Sequence, residues 1–456
     1  MHIVILAAGM GKRMYSTVPK VLHKLAGKPL LQWVIETSQS LAPTSLHVIC
    51  GHARQQIQEY FINQKINWIV QSQQLGTGHA IIQALPHIQD ADYVLILSGD
   101  VPLITTATLR HLIDTSSQQH TGVLLVTTMP DPTGFGRVIR DVNNNILKII
   151  EERDLNNSQK NIQEIYTGIC CLPRAHLVSW LQQLTNKNSQ NEYYLTDVIK
   201  IATNENYIFH TITTNNLSEI HGINNQLQLQ QLERIWQQQQ AEKLLLSGVY
   251  IVDATRIDIR GDLHCGHDIT IDINCIFIGT VHLGNGCIIH ANCILKNVTL
   301  GANSIIFANS ILENCKISNN CHIGPFARLR PETNIAAHCK IGNFVEIKKT
   351  TIDNNSKINH LSYIGDTTIG KNVNIGAGTI TCNFDGINKH QTIIENEVFI
   401  GSGTQLVAPI TIAENATIGA GSTIRKDAPA HALTLTISKI KTILGWKKSP
   451  SGLNKL

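Results

Sequence analysis

The hydrophobic residues of this chain follow two different patterns. Up to about residue 225, unbroken apolar runs alternate with longer amphipathic segments such as LLQWVIETSQSL. The apolar runs are HIVILAAG, LHVICGH, NWIVQSQ, YVLILSGD and GVLLVTTM. The runs predict buried strands and the amphipathic segments predict helices, and their alternation predicts an α/β domain with a largely parallel sheet covered on both faces. Ligands bind such sheets beyond the carboxyl ends of the strands, which directs attention to LAAGMGKRM and LSGDVP.

From about Gly248 onward, aliphatic residues recur every six positions. Two series carry this period: Ile305, Ile311, Ile317, Ile323, Leu329, Ile335, Ile341 and Ile347, and then Ile394, Ile400, Leu406, Ile412, Ile418 and Ile424. A period of six predicts a parallel β-helix, in which each of these side chains points into a triangular prism and successive coils stack. The period breaks between Ile375 and Ile394, where the polar segment TITCNFDGINKHQ predicts a loop.

The segment from Gln226 to Leu246 separates the two patterns and contains neither Gly nor Pro. Leu229, Leu232 and Trp236 fall at helical spacing, which favours one long connecting helix over the alternative, a polar low-complexity linker. We therefore predict three parts: an α/β domain over residues 1–226, a linker helix over 227–247 and a β-helix domain over 248–456.

Composition narrows the class of protein. Of the 456 residues 43% are hydrophobic and 15% charged, with a formal charge of +4, which argues against a nucleic-acid partner. No apolar run reaches the length of about 18 residues that a membrane span needs. The start MHIVILAAG has no basic leader, so we expect no secretory signal and a cytoplasmic protein. The eleven cysteines are odd in number and lack CxxC spacing, which favours reduced apolar thiols over a disulfide framework.

The segment LAAGMGKRM carries the first candidate chemistry. Gly9 and Gly11 allow close approach of backbone N–H groups to a phosphate, and Arg13 adds positive charge. The spacing fits neither a dinucleotide-binding fingerprint nor a P-loop, and a tight structural turn is the alternative. Lys20 follows a bend fixed by proline. Asp100 ends a buried strand run, where a hard oxygen ligand suits Mg²⁺, although a helix N-cap would also explain an aspartate there.

Charged residues inside the repeat form the second candidate functional site. Arg330 and Lys348 are 18 residues apart, which is three hexads and one coil of a three-sided prism, so we expect them to stack on one face. Such a pair can hold a sugar phosphate, with Arg as a bidentate donor and Lys as a point charge. The alternative is a set of ordinary solvated charges. His360 follows after a shortened step, and a histidine can accept a proton near neutral pH.

A resemblance extends over nearly the whole chain. VPKVLHKLAGKPL, QSQQLGTGHA and SGDVPL resemble the signature of sugar-nucleotide pyrophosphorylases. Together with DPTGFGRV, NEYYLTD, AEKLLLSGV, GPFARLRP, GNFVEIKK, HLSYIGD and NIGAGTITCNFDG, they resemble the bifunctional N-acetylglucosamine-1-phosphate uridyltransferase and glucosamine-1-phosphate acetyltransferase family. The resemblance implies a Rossmann-like nucleotidyltransferase domain and a left-handed β-helix acetyltransferase domain. It also implies a homotrimer with shared acetyl sites, and small-molecule substrates without nucleic acid or membrane, for the synthesis of UDP-N-acetylglucosamine used in the cell envelope.

The resemblance also implies site residues. The uridine-nucleotide site would be lined by Leu6, Ala7, Ala8, Gly9, Lys20, Gln71, Gly76, Thr77, Ser98, Gly99, Asp100, Gly136, Glu151, Tyr166 and Asn224. Asp100 and Asn224 would hold Mg²⁺, while Arg13 and Lys20 would stabilise the triphosphate as the sugar phosphate attacks in line. Two positions depart from the family: Tyr166 stands where it has Asn, and Ser98 where it has Tyr.

In the repeat, the resemblance implies that glucosamine 1-phosphate contacts Arg330, Lys348, Tyr363, Asn374 and Lys389. The acetyl-CoA cleft would be lined by Ala377, Asn383, Phe384, Ser402, Ala420 and Arg425. His360 would act as general base with support from Glu346, and the acetyl group would pass directly to the amine. Phe384 replaces a Tyr of the family. The family's C-terminal Arg, which contacts acetyl-CoA, has no clean match, and Lys439 is the nearest candidate. The basic tail with Lys447 and Lys448 would reach the phosphates of CoA.

Two other functions remain as alternatives. A single-activity pyrophosphorylase with a regulatory β-helix would not need Arg330, Lys348 and His360 to occur together. A non-catalytic scaffold built on the β-helix would not need Lys20, Asp100 and the Gly-rich strand exit. Both sets of residues are present in the sequence, which favours the bifunctional enzyme.

Overall fold

The structure is a computed structural model of the 456-residue chain, and it describes residues 1–51, 53–437 and 439–446. Contacts within the chain divide it into two compact units, Met1–Trp236 and Gln237–Leu456. The division falls inside one helix, Gln226–Leu246, which matches the segment predicted as helical. The domain boundaries drawn from the sequence stay predictions.

The first unit contains a nine-stranded mixed sheet, in which five of the parallel strands are those predicted from the apolar runs, and a separate two-stranded sheet. Its strands are β1 His2–Ala7, β2 Lys24–Leu25, β3 Lys28–Pro29, β4 Ser45–Cys50, β5 Asn67–Val70, β6 Tyr93–Ser98, β7 Val123–Thr128, β8 Gly136–Arg140, β9 Ile146–Ile150, β10 Glu164–Pro173 and β11 His210–Thr213. The helices of the chain are α1 Leu30–Ser40, α2 Arg54–Tyr60, α3 Thr77–Ala84, α4 Thr106–Gln119, α5 Arg174–Gln182, α6 Asp197–Asn204 and α7 Gln226–Leu246.

The main sheet runs in the order β11-β7-β10-β6-β1-β4-β5, with β8 and β9 attached to β10. Strand β10 is antiparallel to both of its neighbours, β6 and β7, a feature that the apolar runs did not predict. Alternate residues of β1 face opposite cores: Ile3 and Ile5 pack with helices α1, α2 and α4, and Val4 packs with α3, α5 and α6. The sheet is therefore covered on both faces, as predicted.

The second unit is a parallel β-helix, as the six-residue period predicted. Its strands form an 11-stranded and a 13-stranded sheet in which every named pairing is parallel. The strands are β12 Tyr250–Ile251, β13 Ile257–Cys265, β14 Thr270–Ile271, β15 Cys275–Leu283, β16 Ile288–Ile289, β17 Ile294–Leu300, β18 Ile305–Ile306, β19 Ile311–Ile317, β20 His322–Ile323, β21 Arg328–Leu329, β22 Thr333–Ile335, β23 Lys340–Asn343, β24 Glu346–Ile352, β25 Lys357–His360, β26 Tyr363–Ile369, β27 Asn374–Ile375, β28 Ile380–Cys382, β29 Thr392–Ile394, β30 Phe399–Ile400, β31 Gln405–Val407, β32 Ile410–Ile412, β33 Thr417–Ile418, β34 Thr423–Ile424 and β35 Leu433–Thr434.

Two details of the repeat differ from the prediction. Ile305 and Ile311 were expected inside the prism, but Ile311 is 38% exposed and the inward positions belong to Ile306 and Leu312. The reason is that Ile289 pairs with Ile306 after a 17-residue coil, so the phase of the period slips by one position. The loop is also shorter than predicted, because Ile380–Cys382 forms a strand of the coil and the chain leaves the prism only at Asn383.

The coils turn at corners whose residues adopt a left-handed backbone. At one corner, Asn274, Asn292 and Asn309 hold this conformation, which Asn tolerates well. The next three coils place large apolar residues in the same conformation: Phe326, Phe344 and Leu361. We call these three residues the apolar corner. All three side chains are about half exposed or more, at 49%, 55% and 63%.

All eleven cysteines are free in the structure, and the predicted reduced thiols are confirmed. Burial raises the pKa of the Cys170 and Cys171 thiols to about 12, which keeps them protonated and inert. Within the described residues, no helix has the length and apolar character needed to cross a membrane.

Candidate active sites

The first site lies where strands β1 and β6 end side by side, since Leu6 pairs with Ser98 in the sheet. A cavity of about 320 Å³ opens there. It is lined by Leu6, Ala7, Ala8, Gly9, Met10, Lys20, Val21, Gln71, Gln74, Gly76, Thr77, Ala80, Ser98, Asp100 and Glu192. The position at the carboxyl ends of two adjacent parallel strands is the one that the sequence predicted.

A second cavity of about 190 Å³ shares Leu6, Thr77 and Ser98 with the first. Its other lining residues are Gly134, Phe135, Gly136, Glu151, Tyr166, Thr167, Gly168, Leu195 and Thr196. Because the two cavities share three lining residues, they form one continuous depression.

Lys20 is the centre of the charged part of this site. Its ammonium group donates to the Asp100 carboxylate in a short contact and lies 3.2 Å from Oδ1 of Asn224. Asp100 and Asn224, the residues predicted to hold Mg²⁺, therefore direct their oxygens at one cation. A carboxylate and an amide oxygen fit Mg²⁺, which commonly takes one or two protein ligands and completes its shell with water and substrate phosphates. The residues present thus suit the predicted ion.

The loops around Lys20 depend on glycine at two points. Gly11 has φ +60°, and a Cβ there would lie 2.7 Å from Cβ of Lys20. Gly76 has φ +107°, and a Cβ there would lie 2.5 Å from the backbone oxygen of Tyr193. Both positions combine a left-handed backbone with a close approach, which only glycine accepts without strain.

At the far end of the depression, Glu151 accepts a hydrogen bond of 2.8 Å from the Thr196 hydroxyl. Burial raises the pKa of Glu151 above the usual value of a glutamate. Tyr166 is buried beside it, and burial raises the pKa of the phenol so that it stays a neutral hydroxyl. The sequence analysis gave no role to Thr196, although the residue lies within the NEYYLTD stretch that carried the resemblance.

Most residues predicted for the nucleotide site line the two cavities. Asn224 is connected to the cavities by its hydrogen bond with Lys20, which lines the first of them. The backbone N–H of Gly99 donates to the carbonyl of Leu6 at 2.9 Å, which fixes the end of the strand. Arg13 is the exception, because it is exposed in a short 3-10 helix, Lys12–Met14, and lines neither cavity. Its part in stabilising the triphosphate stays a prediction.

The second site lies on the β-helix around Arg330 and Lys348. Leu329 pairs with Ile347 in adjacent coils, and the same register puts Arg330 beside Lys348 as predicted. Nη1 of Arg330 donates to Oε1 of Glu346 at 2.8 Å, which holds the guanidinium against the sheet. The ammonium of Lys348 lowers the pKa of Lys389 by direct contact and like-charge repulsion. Two cations held this close favour binding of an anion between them.

His360 lies at the end of β25 with its imidazole exposed. Nδ1 of His360 lies 3.0 Å from Oδ1 of Asn343, its register partner in the preceding coil. Because an amide oxygen can only accept, this contact places the proton on Nδ1 and leaves Nε2 with its lone pair.

The geometry corrects one expectation. Glu346 was predicted to support His360, but its carboxylate accepts from Arg330, and the residue bonded to the imidazole is Asn343. The signal that could have identified Asn343 was its position 17 residues before His360, one shortened coil away.

Other residues predicted for the sugar phosphate lie on two faces. Tyr363 is in β26 of the 13-stranded sheet, directly in register with Glu346. Asn374 is in β27 of the 11-stranded sheet, paired with Lys357 and Phe399. The described part of a single chain therefore does not gather all five predicted residues on one surface.

The predicted acetyl-CoA residues Ala377, Ser402 and Ala420 stack in three successive coils. Each lies between two glycines, and the N–H of Gly403 donates to Ala377 O at 2.7 Å while that of Gly421 donates to Ser402 O at 2.8 Å. A Cβ at Gly376 would lie 2.5 Å from the backbone nitrogen of Ser402, so the turns pack backbone on backbone. The result is a strip of small residues that a narrow, flexible chain can lie along.

Phe384 is 59% exposed at the start of the loop. Arg425 and Lys439 are exposed near the C-terminus, while Lys447 and Lys448 lie outside the described residues.

Comparisons with known proteins match both units. The MobA-like NTP transferase domain model matches residues 3–189. The bacterial transferase hexapeptide model, of six repeats, matches residues 391–426, and the hexapeptide repeat of succinyl-transferase matches 296–325. The GMPPB C-terminal domain model matches residues 311–387.

The chain is also similar over its length to curated bacterial proteins. It is 58% identical to the "Bifunctional protein GlmU" of Legionella pneumophila strain Lens over 452 residues, covering 98% of each chain. The protein of the same name from Nitrosospira multiformis is 50% identical over 449 residues, covering 98% of this chain and 97% of that one. A solved UDP-glucose pyrophosphorylase complexed with UDP-glucose is 15% identical with a TM-score of 0.44, and covers 52% of this chain.

Proposed function

The chain belongs to the family of bifunctional GlmU proteins, and from this membership we propose how its two sites carry out two successive transfers. In the second unit, the enzyme moves the acetyl group of acetyl-CoA to the amine of glucosamine 1-phosphate. In the first unit, it moves a uridylyl group from UTP to the resulting N-acetylglucosamine 1-phosphate and releases pyrophosphate. The product is UDP-N-acetylglucosamine.

For uridylyl transfer, an oxygen of the sugar phosphate attacks the α-phosphorus of UTP in line as pyrophosphate leaves. Such reactions need positioning and charge neutralisation rather than a covalent residue. The depression formed by the strand ends positions the two substrates, with the nucleotide at Gly9 and Gln71 and the sugar at Glu151 and Tyr166. Lys20 supplies positive charge to the phosphates, and Arg13 adds to it from the adjacent loop.

We propose that Asp100 and Asn224 hold Mg²⁺, supported by the convergence of their oxygens on one cation. When bound, the ion neutralises the charge of the triphosphate. Lys20 is then free to turn from the Asp100 carboxylate toward the phosphates, so the contact between Lys20 and Asp100 describes the site before substrate binds.

For acetyl transfer, Arg330, Lys348 and Lys389 hold the phosphate of glucosamine 1-phosphate. The amino nitrogen attacks the thioester carbonyl, a C–N bond forms, the C–S bond breaks and the thiol of CoA leaves. Nε2 of His360 takes the proton from the amine, since its lone pair is exposed while Nδ1 is held by Asn343. The strip of Ala377, Ser402 and Ala420 accommodates the arm of acetyl-CoA.

We propose that the protein is a homotrimer. Hexapeptide repeats favour association of chains, and the apolar corner exposes three large side chains in consecutive coils. The apolar corner directly follows His360 and Asn343, so association there would bring a second copy to the edge of the acetyl site. Such sharing accounts for the separation of Asn374 from Tyr363 within one chain. The substrates and the free cysteines support a cytoplasmic location.

The observation that carries the proposal is the presence in one chain of both charged centres, Lys20 with Asp100 and Asn224, and His360 with Arg330 and Lys348. The test is to incubate the protein with glucosamine 1-phosphate, acetyl-CoA, UTP and Mg²⁺ and to identify the products. We expect CoA, pyrophosphate and UDP-N-acetylglucosamine. A protein that used only N-acetylglucosamine 1-phosphate and left glucosamine 1-phosphate untouched would instead be a single-activity pyrophosphorylase.

A further inference from the structure

Asp366 is a nearly buried acid beside the proposed acetyl site. It lies in β26 at a corner of the prism, with its residue only 8% exposed. Its Oδ2 accepts a hydrogen bond of 2.5 Å from Nδ2 of Asn383, and its Oδ1 lies 3.7 Å from Nζ of Lys349. Asp366 thus joins the wall of the β-helix to the first residue of the loop that leaves it.

The carboxylate fixes which way the Asn383 amide faces. An ionised carboxylate can only accept hydrogen bonds, so it attracts the NH₂ end of the amide and repels the oxygen end. Hydrogen bonds to a charged group are also stronger than those between neutral groups. Asn383 therefore has one orientation, with Nδ2 on Asp366 and Oδ1 directed away from the carboxylate.

The surroundings place this amide between the two predicted substrate sites. A Cβ at Gly365 would lie 2.6 Å from the Tyr363 hydroxyl and 2.7 Å from Nδ2 of Asn383, so both groups lie over this glycine. Tyr363 is predicted to contact the sugar phosphate and Asn383 the acetyl-CoA. The loop is anchored at the same residue, because His390 N–H donates to Asn383 O at 2.8 Å.

We propose that Asp366 is a positioning residue for acetyl transfer, which holds Asn383 so that its amide oxygen accepts from an N–H group of the bound acyl donor. The pantetheine arm of acetyl-CoA supplies such amide N–H donors. This inference rests on the acetyl transfer proposed above. It assigns to Asp366 an effect on the acyl donor rather than on the sugar phosphate, which is held by Arg330 and Lys348.

The test is Asp366→Asn in the full chain. Asp366 has φ +49°, and Asn tolerates this left-handed backbone as well as Asp does, so the fold is expected to persist. An Asn at 366 can pair with the Asn383 amide in either orientation, and the fixed orientation is lost. We expect kcat/KM for acetyl-CoA to fall by about 10-fold to 100-fold, the range for one hydrogen bond to a charged group, with the KM for glucosamine 1-phosphate within about twofold of wild type.

Glu332→Gln is the matched control, since Glu332 is an acid with a left-handed backbone at the same corner two coils away. It is expected to leave acetyl transfer unchanged. Asn383→Ala and the double variant complete a double-mutant cycle. If Asp366 acts through Asn383, the double variant loses no more activity than Asn383→Ala alone.

Multiplied losses in the double variant would overturn the proposal, and so would a wild-type kcat/KM in Asp366→Asn. An equal rise in the KM values of both substrates would also overturn it, because that pattern indicates general damage to the β-helix. A wild-type protein without acetyl transfer would refute the proposed function itself, and this outcome is distinct from an active wild type with an equally active Asp366→Asn.

Discussion

At the scale of single residues, Asp100 is a proposed ligand of Mg²⁺ in the nucleotide site. Its carboxylate and the Asn224 amide meet at the Lys20 ammonium, the place proposed for Mg²⁺. We expect Asp100→Asn to retain the fold and to lower uridylyl transfer by about 10²-fold to 10³-fold, because one electrostatic contact to the transition state is worth roughly 3 kcal/mol. Acetyl transfer by the same sample is the control. Equal loss of both activities would indicate misfolding or a single coupled site.

In the proposed acetyl mechanism, His360 is the general base. If Nε2 takes the proton of the amine, His360→Ala should lower the kcat of acetyl transfer by about 10²-fold to 10⁴-fold, the usual range for loss of a general base. The measurement is the kcat of acetyl transfer with both substrates saturating.

The matched control for His360 is His322→Ala, which removes another imidazole from the same 11-stranded sheet. It should leave the kcat of acetyl transfer unchanged, and uridylyl transfer should be unaffected by either substitution. An enzyme with His360→Ala that acetylates at nearly the wild-type rate would remove His360 from the mechanism and favour a solvated surface histidine.

At this scale, the sequence predicted the residue types of both sites better than their contacts. The 18-residue spacing predicted that Arg330 and Lys348 stack, because coil length sets that distance along the chain. It could not show that Glu346 would bond Arg330 while Asn343 bonds His360, since this choice depends on side-chain directions around a corner of the prism. Asp366 also went unnoticed, although its partner Asn383 lies 17 residues after it, one coil away, at the spacing that separates Asn343 from His360.

At the scale of elements, unbroken apolar runs predicted five strands of the main sheet but not β10, although β10 is also largely buried. The five apolar runs of the first unit all form strands. The pattern did not predict that β10 runs antiparallel to both β6 and β7, because burial alone does not determine whether neighbouring strands are parallel or antiparallel. In the repeat, 17-residue coils move the inward positions from Ile305 and Ile311 to Ile306 and Leu312. A strict period of six does not predict this shift.

The amino-terminal ends of β1 and β4 carry a pH-dependent element. His47 of β4 lies buried beside His2, and the Ser45 hydroxyl is 2.6 Å from both rings. Burial, and then the neighbouring His2, lowers the pKa of His47 to about 4. The folded state therefore keeps this imidazole neutral at pH values where the unfolded chain, with an ordinary histidine pKa near 6.5, binds a proton.

Because the folded pKa of His47 is depressed, its contribution is fully present above about pH 6.5 and is lost as the pH falls toward 4. Over that window the loss is about 3 kcal/mol of unfolding free energy. We expect wild type to lose more thermal stability than His47→Gln between pH 7 and pH 4, as measured by unfolding at a series of pH values. Parallel curves for the two proteins would show that His47 does not contribute to the acid sensitivity of the sheet.

At the scale of the whole molecule, the division between the two units falls within helix α7. Leu232 and Trp236 are buried against the first unit, with Trp236 edge-on to Trp33. The next residue belongs to the second unit: the side chain of Gln237 bonds both backbone groups of Ile259, at 2.8 and 2.7 Å. One helix therefore contributes buried side chains to both units. A truncated form of the first unit must keep the part of α7 that packs against it.

A fragment that ends at Leu246 should fold and retain uridylyl transfer, because it keeps Asn224 and the buried turns of α7. It should lose acetyl transfer, since His360 and its neighbours are absent, and it should be a monomer, since the apolar corner is absent. Activity assays and light scattering test these three outcomes on one sample. The same fragment with Asn224→Ala is the control: it keeps α7 but lacks the amide oxygen beside Lys20, and it should lose uridylyl transfer as well. If the longer fragment remained a trimer, the assembly surface would have to lie in the first unit, and the apolar corner would need another explanation.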